Sequence, residues 1–118
     1  MRRTILATAI SILQGCALTP NQVRQSGVVD HYDRPSKPAQ VADCVERRLR
    51  NLNGNFTTWR DVTRWGGVDV GAQMTDYGTV ALLEITANES GSRVFVYVHR
   101  DVFKGKEKQV ANEMMAGC

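Results

Sequence analysis

The sequence predicts an α+β domain in which a helix, three antiparallel strands and a second helix follow in order, with both helices on one face of the sheet. Three observations lead there. Apolar residues recur at helical spacing between Pro38 and Leu52, they alternate at strand spacing between Val68 and His99, and helical spacing returns towards the C-terminus.

Ser36-Lys37-Pro38 reads as the start of the first helix: a capping hydroxyl, then proline in the first turn, where its missing N–H costs nothing. Val41, Val45, Leu49 and Leu52 share one face, and Cys44 lies on the same stripe. Asp43, Glu46, Arg47 and Arg50 take the opposite side, and Asn53-Gly54 ends the helix. Val68, Val70, Ala72 and Met74 alternate with Asp69, Gly71 and Gln73, as in a half-buried strand. Asp76-Tyr77-Gly78 turns the chain into a nearly continuous apolar run, Val80 to Thr86, broken only by Glu84. Asn88 to Ser92 is a hairpin loop, and Arg93 to His99 a third strand. That strand sets Val94, Val96 and Val98 on one face against Phe95, Tyr97 and His99 on the other. Phe56 to Trp59 reads as a short edge strand. Asp101 is placed to cap the last helix, whose apolar face carries Phe103, Val110, Met114 and Cys118.

At 118 residues there is room for one domain, and 42% apolar with 23% charged residues is ordinary for a globular chain. The formal charge of +3 includes Arg2 and Arg3. Without them 13 cations face 12 anions, so nothing electrostatic argues for a nucleic-acid partner.

The first residues have a different character. Met1-Arg2-Arg3-Thr4 is a short positive start, Ile5 to Leu13 an apolar run of nine, and Gln14-Gly15 leads into Cys16. That order is a secretory signal, and the run is too short to span a bilayer. Leu13-Gln14-Gly15-Cys16 resembles the lipobox of bacterial lipoproteins. The resemblance covers residues 1–16 and implies cleavage before Cys16, with acyl chains attached there. At about 0.8 kcal/mol per buried methylene, several such chains make a durable anchor. Ala17 in place of aspartate implies, by the same analogy, the outer membrane facing the periplasm. The competing readings are an ordinary signal peptide with a chance cysteine and an apolar first helix of a cytosolic protein.

Cysteine arithmetic favours the lipoprotein. With Cys16 carrying lipid, Cys44 and Cys118 remain for one disulfide, as suits an oxidising compartment. Both cysteines lie on apolar helix stripes. Residues 16–37, polar and punctuated by Pro20, Gly27 and Pro35, then read as a flexible tether spanning about 25 Å. The domain itself is residues 38–118. Its general pattern is similar to the short, uncharacterised lipoproteins of Gram-negative bacteria, a resemblance that implies the disulfide-bonded α+β domain and no activity.

No set of residues points to catalysis, a cofactor or a small-molecule substrate. His31 and His99 stand on tether and strand edge, and zinc would need four ligands at short paired spacings. Gly66-Gly67 precedes a strand, the reverse of a phosphate-binding loop. Glu84 is read as pointing to the rim or pairing with Arg93 across the hairpin, a buried catalytic acid being the other reading. Trp59 and Trp65 either cover the end of the core or join Phe95 and Tyr97 in a partner surface on an uncovered sheet face. The expected role is therefore a non-enzymatic binding or accessory module held by a lipid anchor and meeting an envelope protein. The alternative is an inhibitor or immunity protein guarding the envelope against a hydrolase or toxin, with Asn88 to Ser92 as its plugging tip.

Overall fold

Helix, strand, helix, four strands, helix is the order in which the chain folds, as a computed structural model describing residues 17–52, 56–63 and 65–118 shows. The elements are α1 (Pro20–Gln25), β1 (Val28–Arg34), α2 (Pro38–Asn51), β2 (Thr57–Val62), β3 (Val68–Met74), β4 (Gly78–Asn88), β5 (Gly91–Val98) and α3 (Glu107–Met115). The strands form one antiparallel sheet in the order β1-β5-β4-β3-β2. The expected three-stranded sheet is thus corrected to five strands, and a helix precedes the two that were anticipated.

Of the stretch 16–37 expected to be a flexible tether, the described residues, 17–37, are folded into the domain. Thr19 caps α1: its hydroxyl accepts from the Gln22 amide, while the Gln22 side chain accepts from the Thr19 amide. Pro20 follows at the first helical position. Val28–Arg34 pairs with β5 from Tyr97 to Ser92. The polar residues that made this stretch look solvated are used in the fold. Asp33 receives Arg93 at 2.7 Å, and Tyr32 donates to Asn112 on α3.

Val41, Ala42, Val45 and Leu49 of α2 and Ala111, Met114 and Met115 of α3 pack on one face of the sheet. They meet Val68, Val70 and Ala72 of β3, Ala81, Leu83 and Ile85 of β4, and Val94, Val96 and Val98 of β5. Helix α2 lies across β2 to β4 and α3 across β1 and β5, so the two are side by side. Cys44 and Cys118 are joined, with Cα atoms 5.7 Å apart. Two details differ from expectation. Lys37, not Ser36, is the N-cap of α2; the Ser36 carbonyl accepts from the buried hydroxyl of Ser92. Helix α3 starts at Glu107 because residues 101–105 form successive turns, with the amides of Val102 and Phe103 both donating to the His99 carbonyl. The expected stop at Asn53-Gly54 lies outside the described residues.

The opposite face explains why β4 is apolar on both sides. Helix α1 packs there against β4 and β5, and Val23, Val80 and Leu82 are fully buried outside the main core. Six residues of helix cover little, and most of this second face stays open.

Candidate functional site

Antiparallel register arranges the second face in rows, because every other residue of each strand points to it. One row crosses all five strands as Trp59, Gly71, Leu82, Tyr97 and Val28. The next runs Asp61, Asp69, Glu84, Phe95 and His31. Three carboxylates therefore stand side by side on β2, β3 and β4, beside the aromatic rings of β5.

Like charges directly across a strand pair destabilise a sheet. Arg24 of α1 answers part of this repulsion: its guanidinium lies 3.2 Å from Asp69 and 3.1 Å from Glu84. Glu84 also accepts from the Tyr97 hydroxyl. The expected partner of Glu84, Arg93, is instead held by Asp33. Burial pushes the Asp69 carboxyl up, the nearby Glu84 charge adds to the rise, and Arg24 opposes both. The Tyr97 phenol is pushed up to about 12 by burial first and then by its bond to the Glu84 carboxylate.

Asp69 borders two hollows on this face. One, of about 500 Å³, lies between α1 and β2, with Asn21, Arg24, Trp59, Asp61, Asp69 and Gln73 on its walls. The other, of about 340 Å³, is lined by Val28, Glu84, Phe95 and Tyr97 among others. Trp59 is positioned by an absent side chain. A Cβ at Gly71 would fall 1.9 Å from the indole Cε2, so the ring lies flat over the glycine of the neighbouring strand.

The four aromatics read from the sequence separate into two groups. Trp59, Phe95 and Tyr97 share the second face, all half-buried. Trp65 does not join them. It stands at the tip of the β2–β3 loop, 88% exposed, at the sheet end that also carries the Asn88–Gly91 turn. Cys16 lies outside the described residues. The sequence reading missed Arg24, Asp61, Asp69 and Gln73. Thr19-Pro20-x-Gln22 could have revealed α1 and hence Arg24, being a capping box with proline at the first turn. Among the described residues, no group of three or more histidine, cysteine or acidic side chains could hold a metal. Nor is any described helix long and apolar enough to cross a membrane.

Compared with protein-family models, curated proteins and solved structures, the chain matches none.

Proposed function

We propose that this chain is a lipid-anchored protein of the bacterial envelope and that its domain is a non-enzymatic binding module. Its docking surface is the second sheet face, centred on Trp59, Arg24, Glu84 and Tyr97. The anchor rests on Leu13-Gln14-Gly15-Cys16 after an apolar run, and the Cys44–Cys118 disulfide fits an oxidising compartment. The observation that carries the binding role is the composition of the face. Half-buried aromatic rings flank a carboxylate row and a single bridging guanidinium, with open hollows on both sides. Rings of this kind supply contact area at small entropic cost, and charged neighbours set the register of a partner. The partner read from this chemistry is an envelope protein offering a basic or mixed-charge surface to the carboxylate row.

Chemical crosslinking in intact envelopes tests the reading. Trp59→Ala with Phe95→Ala should abolish a specific crosslinked product while the disulfide still forms. Unchanged products would overturn it.

A second reading, an inhibitor or immunity protein, draws on the opposite end of the sheet. Exposed Trp65 and Glu89 stand on neighbouring loops there, around a hollow of about 610 Å³ lined by Gly66 and residues 87–91. Protection of cells by the anchored protein, lost on Trp65→Ala or Glu89→Ala but kept in the double variant of the face, would select this reading over the first.

A further inference from the structure

We propose that the domain stands on the lipid surface by its β3–β4 end, with Tyr77 held at the level of the headgroups. This rests on the anchor at Cys16 proposed above. The decisive contact is at Leu18. Its amide donates to the Tyr77 carbonyl at 2.8 Å, and its carbonyl accepts from the Thr79 amide at 3.0 Å, so the chain is pinned beside the β3–β4 turn. Gly78 makes that approach possible. It has φ of +87°, and a Cβ there would lie 2.7 Å from the Leu18 carbonyl oxygen and 2.8 Å from its nitrogen. Leu18 lies only two positions beyond Cys16, and even a fully extended chain covers no more than about 7 Å in that distance. A lipid-bearing residue so close to the folded domain leaves little slack. The end of the sheet that holds Leu18 must then meet the bilayer surface.

The side chains at that end suit a headgroup layer. Tyr77 is 46% exposed, and an amphipathic ring of this kind favours the membrane–water boundary. Arg100, Lys104 and Lys106 are exposed where β5 finishes at the same end. Asp76 and Asp101 are also there, so the contact follows from the short anchor and the ring and does not depend on net charge. Trp65 is at the far end. The seven residues of β3 separate the two by about 20 Å, leaving that loop directed away from lipid.

The test uses the full lipidated chain, purified from membranes and placed in vesicles of phosphatidylcholine brominated on its acyl chains near the headgroup. The native chain holds two tryptophans, Trp59 and Trp65, and both should escape quenching. In Tyr77→Trp about one third of the emission, one indole in three, should be quenched. Thr75→Trp, in the same turn, serves if the first variant fails to form its disulfide. Intact mass reports the acyl groups separately. An acylated chain in which neither variant is quenched, or in which Trp65 is quenched instead, would overturn the orientation and leave the anchor standing. A chain without acyl groups would overturn both.

Discussion

Arg24 and Glu84 are sixty positions apart in the chain and meet at 3.1 Å, joining a six-residue helix to the central strand of the sheet. The same guanidinium reaches Asp69, so one cation is set between two carboxylates that face each other across β3 and β4. Replacing it with Arg24→Met should lower stability at neutral pH by about 2 kcal/mol, because both carboxylates lose a charged donor and repel each other. Urea unfolding measures this. The deficit should shrink as the pH falls from neutral to acid, because the Asp69 carboxyl, pushed up by burial and by the Glu84 charge, takes up a proton and no longer repels its neighbour. An equal deficit at both pH values would mean that α1 is held by packing alone.

Tyr97 makes a prediction at the other end of the pH scale. Its phenol lies at about 12 in the folded chain against an ordinary 10.0. A raised value means that folding favours the protonated phenol. The stability it contributes is therefore complete below pH 10 and lost as the pH rises through 12. Ultraviolet titration should show a phenol ionising near 12 that is missing in Tyr97→Phe. Glu84→Gln should move that step down, since the carboxylate's bond and charge both help to raise it.

Trp59 depends on a missing methyl group. Gly71→Ala would place a Cβ 1.9 Å from the indole, so the ring must leave the sheet surface. Tryptophan emission should shift to longer wavelength, against a constant background from the already exposed Trp65. Stability should fall by about 1–2 kcal/mol. An unmoved spectrum would contradict the stacked geometry.

The disulfide closes a loop with its cysteines 74 positions apart. By the chain-entropy model this contributes about 4 kcal/mol, a large share for a domain with so small a core. Cys44→Ser with Cys118→Ser should lower the midpoint of thermal unfolding by about 20 °C. A shift of only a few degrees would show that the packing of α2 against α3, with Arg48 donating to the Glu113 carbonyl, holds the helices together by itself.

Legibility tracked how locally each element is determined. Val41, Val45 and Leu49 lie within fourteen residues of one another's helix, and their period is visible without any partner. Val94, Val96 and Val98 declare a buried face by alternation alone. Strand β1 gave no such signal. Its sequence, Val-Val-Asp-His-Tyr-Asp-Arg, is charged on both faces, and the groups that accept those charges, Arg93 and the rest of β5, lie about sixty residues further on. Helix α1 is too short to show a period, and only its cap betrays it. The candidate site suffered accordingly. Phe95, Tyr97 and Trp59 could be read from strand alternation and composition, whereas Arg24 could not be joined to Glu84 without knowing that α1 folds back over the sheet.

What the sequence by itself determined was a helix entered at Pro38, three strands between Val68 and His99, the cysteines available for pairing, and an apolar run ahead of Cys16. Each of these follows from period, turn chemistry or residue count within a short window. The tertiary structure alone decided that residues 20–34 belong to the domain, and that the sheet has five strands. It also decided that three carboxylates align across β2, β3 and β4, and that Leu18 is pinned beside Gly78. Those outcomes come from pairing between distant segments. There the free energy lies in register, ion pairs and backbone hydrogen bonds that no local pattern records.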